Sequence, residues 1–101
     1  MSSPLFNSGM KVMTKGIKSL ISSSPEMHDF VINCMNRHLS GEWGNLETDD
    51  IEMNNQSVED EKNGKFPDMI LSCYESEDGT EIWIITDSDR KATTVLLPEE
   101  Y

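Results

Sequence analysis

The sequence predicts an α+β domain: about three helices packed on one face of a small three- to four-stranded antiparallel sheet. Three observations carry this. Apolar residues between Pro25 and Leu39 recur at steps of three and four, the stripe of an amphipathic helix. From Asp68 onward the apolar runs are short, rich in β-branched residues and separated by turn residues, as in a meander of strands. Helical patterns also precede strand patterns instead of alternating with them, which favours segregated helix and sheet layers. The 101 residues suffice for one two-layer core, hence a single domain.

Residues 1–8 include Pro4 and are mostly polar, so this end is expected to fray, with Leu5 and Phe6 able to dock on a neighbour. Gly9 to Met13 alternates weakly and fits a short edge strand. Thr14 is a candidate N-cap for a helix from Lys15 to Ile21, with Ile17, Leu20 and Ile21 on one face. Ser24 caps the next helix, and Pro25 falls at its first position, where a missing N–H costs nothing. Its stripe is Met27, Phe30, Val31, Cys34, Met35, His38 and Leu39, and Gly41 suits a left-handed cap beyond its end. Trp43, in the tight turn from Gly41 to Gly44, is expected to fold back over that end.

A third helix is expected from about Glu47 to Val58. Its acidic first turn (Glu47, Asp49, Asp50) suits the positive end of a helix dipole. Asn54 to Ser57 is poor helix material, and Asn55 interrupts the stripe of Leu46, Ile51 and Val58. Glu59 to Lys65 reads as an acidic loop turning at Asn63-Gly64. Strands follow at Asp68–Tyr74, Glu81–Thr86 and Thr93–Leu97, with Asp78-Gly79 as a hairpin turn and Pro98 as a stop. Ile82, Ile84 and Thr86 alternate with Trp83, Ile85 and Asp87. Both sets hold large apolar groups, so this strand is expected to be central and partly covered on both faces.

Eight basic and 19 acidic residues give a net charge of −11. That excludes non-specific binding to nucleic acid or to anionic membrane, which need a positive field, and permits a basic protein surface as partner. Residues 42–61 hold eight acidic residues and no basic one. No apolar run reaches the ~20 residues of a membrane span and no targeting segment is visible, so a cytoplasmic location is expected. Cys34 and Cys73 lack a CxxC spacing and read as reduced, buried thiols.

Several constellations could carry chemistry. Asp87, Asp89, Arg90, Thr93 and Thr94 cluster on one hairpin loop and could bind a small ligand or nucleotide, with Arg90 as an anion clamp. The commoner reading of such loops is structural: Asp87 accepts backbone N–H groups and Arg90 pairs with a carboxylate. Cys34 and His38 lie one helical turn apart and could give a metal two ligands, with His28 or Cys73 as further candidates. The simpler reading is a core cysteine and a hydrogen-bonded histidine, so no metal or cofactor is expected. No glycine-rich phosphate loop, dinucleotide fingerprint, HExxH or nucleophile–base signature is present, which favours a non-enzymatic role.

The acidic block offers a surface: Glu47, Asp49, Asp50, Glu52 and Glu59 could imitate phosphates and occupy the basic groove of a nucleic-acid-binding protein. A solvated helix face is the plainer alternative. A third possibility is self-association as a structural or regulatory homodimer through an uncovered sheet face, since Trp83 and Ile85 would otherwise both be wet.

The signature Arg37-His38-Leu39-Ser40-Gly41-Glu42-Trp43-Gly44-Asn45-Leu46, then Asp49, Asn54-Asn55 and Ile70-Leu71-Ser72, and finally Trp83 through Tyr101, covers much of the chain. It resembles a family of small bacterial proteins labelled hypothetical or plasmid-related, some of them labelled as a type I restriction endonuclease subunit. The resemblance implies a bacterial mobile-element setting and brings no activity with it. This chain departs from the family by Lys15 where a proline is usual, and by a longer, more acidic run from Asn54 to Lys65.

Overall fold

A computed structural model describes residues 4–101. In chain order the elements are β1 (Met10–Met13), α1 (Lys15–Ser23), α2 (Pro25–Leu39), α3 (Thr48–Lys62), β2 (Ile70–Glu75), β3 (Glu81–Thr86), β4 (Ala92–Leu96) and a closing 3-10 turn, Pro98–Glu100. The fold class is α+β, as predicted. The strands form one sheet in the order β1-β4-β3-β2. β2, β3 and β4 make the antiparallel meander, with Ile70 opposite Thr86 and Ile84 opposite Val95.

The expected purely antiparallel sheet is corrected at one edge. β1 runs parallel to β4, Met10 beside Ala92 and Met13 beside Val95. A parallel pair needs a long crossover, and the three helices and two strands between β1 and β4 supply one.

The helix signals act as read. Thr14 and Ser24 accept hydrogen bonds from the Ile17 and Met27 amides at 3.4 and 3.3 Å. α2 spans the predicted residues. Ile17, Val31 and Cys34 pack on Tyr74, Ile82, Ile84 and Val95, forming the main core between helices and sheet. A second cluster joins Phe6, Trp43, Val58 and Ile70. Trp83 and Ile85 belong to neither cluster; they are half-buried on the opposite face, where Tyr101 packs on Trp83 at 5.5 Å.

At the N-terminal end Phe6 docks on its neighbours, as its apolar side chain allowed. Residues 1–3 lie outside the described residues, but Phe6 is only 4% exposed. Its ring meets His38 edge-on at 5.4 Å and Trp43 at 6.0 Å, while the Leu5 amide donates to the Leu39 carbonyl. Burying one phenyl ring is worth about 2 kcal/mol, which offsets part of the cost of ordering this segment.

The expected acidic loop from Glu59 is a helix as far as Lys62, and the chain turns after it at Asn63-Gly64. The inner side of α3 explains the difference. Asn54 donates through Nδ2 to the Leu71 carbonyl at 2.6 Å and accepts the Leu71 amide at 3.2 Å. Asn55 accepts from Trp43 Nε1 at 2.9 Å, and Ser57 donates to the Asp68 carbonyl at 2.5 Å. These polar residues anchor the helix where apolar ones would normally do so.

The outer edge of β2 is thereby closed. Besides the Asn54 contact, the Cys73 amide donates to the Trp43 carbonyl at 3.1 Å and the Asn45 amide to the Cys73 carbonyl at 2.8 Å. An unpaired edge is a template for aggregation, and both contacts blunt it.

Candidate functional site

The β3–β4 loop does not assemble the expected ligand site. Asp87 and Asp89 are exposed, and the Asx-turn belongs to Asp89, whose Oδ1 accepts the Lys91 amide at 3.0 Å. Arg90 sits at φ +60° and is only 7% exposed. Its Nε donates to Glu61 Oε1 at 2.5 Å, and Nη1 donates to the Asp68 and Asp87 carbonyls at 2.9 and 3.1 Å. Nη2 donates to Ser57 Oγ at 2.8 Å. With all three nitrogens engaged inside the protein, Arg90 is a brace between the hairpin and α3, and the expectation of an anion clamp is corrected. Thr93 is fully buried, while Thr94 is half-buried within β4.

His38 is the centre of a buried polar chain. Nδ1 lies 2.5 Å from Ser72 Oγ and Nε2 lies 2.9 Å from Thr86 Oγ1. Thr86 Oγ1 is 2.7 Å from Thr93 Oγ1, which donates to the Ser8 carbonyl at 2.7 Å. A carbonyl can only accept, so the directions follow along the chain. Thr93 spends its proton on Ser8, Thr86 donates to Thr93, and His38 Nε2–H donates to Thr86. That leaves Nδ1 to accept from Ser72. His38 is thus the neutral Nε2–H tautomer, and burial pushes its pKa down to about 3.

The Ser72–His38 pair has the arrangement of a nucleophile and base. Both residues are fully buried, however, so the pair serves the core. Both imidazole nitrogens are committed, which leaves none for a metal. Among the described residues no three of His, Cys, Asp and Glu come together as a metal site requires. Burial also raises the thiols, Cys34 to about 11 and Cys73 likewise upward, so both are protonated and poor nucleophiles at neutral pH.

The acidic surface is displayed. Glu47, Asp49, Asp50, Glu52 and Glu59 are all exposed along α3 and its start. Of the eight carboxylates between Glu42 and Glu61, Glu61 alone is in a salt bridge among the described residues. Ile51, Asn54, Ser57, Val58 and Glu61 face inward, so Asp49, Glu52, Met53, Gln56 and Glu59 form the outer side one and two turns apart.

Sequence reasoning missed Asn54, Ser57 and Glu61 as anchors, and Ser72 and Thr86 as partners of His38. For the last two a signal existed: strand alternation puts both hydroxyls on the core face, where a buried polar group needs a partner. For the α3 residues none existed, because their partners lie far along the chain.

No protein-family model, no curated protein and no solved structure matches the chain. No helix among the described residues is long and apolar enough to cross a membrane.

Proposed function

We propose that the protein is a non-enzymatic acidic binding protein of a bacterial mobile element that acts in the cytoplasm. It presents the outer side of α3 to a basic surface of a host protein, of the kind that otherwise holds nucleic acid. The observation that carries this reading is the row of exposed carboxylates, in no salt bridge among the described residues, on a helix whose inner side is fixed by hydrogen bonds to β2, Trp43 and the Arg90 brace. A fixed helix binds without first ordering itself, which lowers the cost of association. Its charge would steer a basic partner and make binding fall with salt.

The test is capture of basic proteins from a bacterial lysate at low salt. Duplex DNA and ~0.5 M salt should release them, since that salt shortens the screening length well below the ~8 Å of physiological solution. A variant with Asp49, Asp50, Glu52 and Glu59 all changed to Lys should capture none of them. Retention of the same proteins by that variant would defeat the proposal.

A second reading, a homodimer sealed through the face of Trp83 and Ile85, is favoured by the partial exposure of these two large apolar side chains on the face opposite the core. Light scattering at twice the monomer mass, reduced to one by Ile85→Glu, would support it. The small-ligand reading of the Asp87–Thr94 loop loses its anion clamp to Glu61.

A further inference from the structure

The two edges of the sheet are finished differently. At β2 the outward backbone groups of Leu71 and Cys73 are bonded to Asn54, Trp43 and Asn45. At β1 the Met10 amide donates to the Lys91 carbonyl at 2.9 Å and the Thr14 amide to the Val95 carbonyl at 3.1 Å. Alternation along a strand then turns the N–H and C=O of Lys11 and Met13 away from β4. All four residues of β1 are exposed.

We propose that this edge accepts an extended segment of a partner protein, one in which apolar and acidic residues alternate. An open edge supplies the backbone hydrogen bonds for an added strand, and the side chains beside it select the sequence. On one face Met10, 70% exposed, and Val12 lie beside Ala92 and Thr94, and Thr94 in turn pairs with Ile85. Apolar residues of an added strand would extend this face.

On the other face stands Lys11, with Lys15 just past the end of β1 and Lys91 beside its start. All three lysines are exposed and none is in a salt bridge among the described residues. The carboxylates at hand are occupied: Glu100 accepts from the Thr14 hydroxyl and the Gly16 and Leu97 amides, and Asp89 from the Lys91 amide. The edge therefore selects carboxylates from a partner. A second copy would set Lys11 near its own counterpart, so local charge opposes self-pairing here. The inference is independent of the α3 reading, because α3 lies at the β2 edge.

The experiment is fluorescence anisotropy with a dye-labelled peptide of alternating Val and Glu, compared with one of alternating Val and Lys and with a blocked Val-then-Glu peptide. Amide exchange is read at Lys11 and Met13. Met13→Pro deletes only an outward N–H and leaves the bonds to β4, while Lys11→Glu reverses the charge without touching the backbone. Expected are binding of the Val–Glu peptide alone, slowed exchange at both amides, and at least a tenfold loss of affinity in each variant. Three results would overturn the proposal: no binding, binding that both variants leave unchanged, or a dimer in sedimentation equilibrium that Met13→Pro dissolves, which would make the occupant a second copy. Circular dichroism confirms that each variant is folded, and Lys11→Glu with the exchange data decides if Met13→Pro is not.

Discussion

Arg90 donates through Nε to Glu61 Oε1 at 2.5 Å, joining the β3–β4 turn to the end of α3 across 29 residues. The same carboxylate accepts the Asn7 amide at 2.8 Å through its other oxygen, so three segments meet on one ion pair. Removing the guanidinium takes one partner each from Glu61, the Asp68 carbonyl and Ser57, and leaves the Glu61 carboxylate without its counter-charge. Breaking a buried pair from one side costs about 3–5 kcal/mol, and the 26% exposure of the Glu61 side chain places Arg90→Ala at the lower end. Arg90→Lys keeps the charge but not the planar fork, and should recover little of the loss. Urea unfolding measures both; a loss below about 1 kcal/mol in Arg90→Ala would show that the brace is dispensable.

His38 makes stability fall on mild acidification. An unfolded histidine titrates near 6.5, whereas burial holds His38 near 3. Between those values the unfolded chain binds a proton that the folded protein refuses. The stabilisation is therefore complete above pH 6.5 and is lost toward pH 3, with a slope approaching about 1.4 kcal/mol per pH unit. Asp78 and Glu100 are both held below their ordinary values by hydrogen bonds, chiefly from Ser76 and Thr14, and also lose stability on acidification. They do so only as pH falls toward and below their ordinary values of 3.8 and 4.5, so the window from pH 5 to 6.5 isolates the histidine. His38→Gln should be less stable at pH 7 but flat across that window in urea unfolding. An equally steep variant would assign the slope to another group.

Asn54 imitates a fifth strand. Its amide gives the Leu71 backbone both the donor and the acceptor that an edge strand lacks. In Asn54→Ala the Leu71 groups lose their partners, at about 1–3 kcal/mol for a buried polar group left unpaired. Exchange of the Leu71 amide should accelerate while that of Ile84, inside the sheet, follows global stability alone. Asn54→Asp retains the acceptor but aims a carboxylate at the Leu71 carbonyl, and should be no more stable than the alanine variant.

These contacts explain what could be read from the chain. α2 was legible to its ends because local signals specify it: a capping serine, a proline at the first position, and an apolar stripe with one side. The meander was legible for the same reason, through alternation and Asp78-Gly79. α3 was not, because it docks through Asn54, Asn55, Ser57 and Glu61, residues that look like surface until their partners are known. The parallel pairing of β1 was also hidden, since four weakly alternating residues do not encode a direction. Of the candidate site residues, the exposure of Asp49, Glu52 and Glu59 follows from composition. The burial of Arg90 depends on a carboxylate 29 residues away and on a carbonyl at Asp68, neither of which a local pattern reveals.

Gly44 shows how tightly the β2 edge is closed. It lies at φ +78°, and a Cβ placed there would stand 2.0 Å from the Cys73 carbonyl oxygen and 2.8 Å from the Tyr74 ring. The clash is with backbone, so relief requires moving Trp43 and Asn45 off β2. That would draw Trp43 from its contacts with Phe6 and His38, at 6.0 and 5.8 Å. Gly79 has a similar φ of +87° but nothing within 4 Å of the same position. The left-handed conformation alone costs a non-glycine residue about 1–2 kcal/mol, and overpacking adds about 1–3 kcal/mol. Gly79→Ala should therefore lose about 1 kcal/mol, the conformational part alone. Gly44→Ala should lose at least about 3 kcal/mol and show quenching changes at Trp43 before global unfolding. Equal losses in the two variants would mean that the Trp43–Asn45 segment does not press against β2.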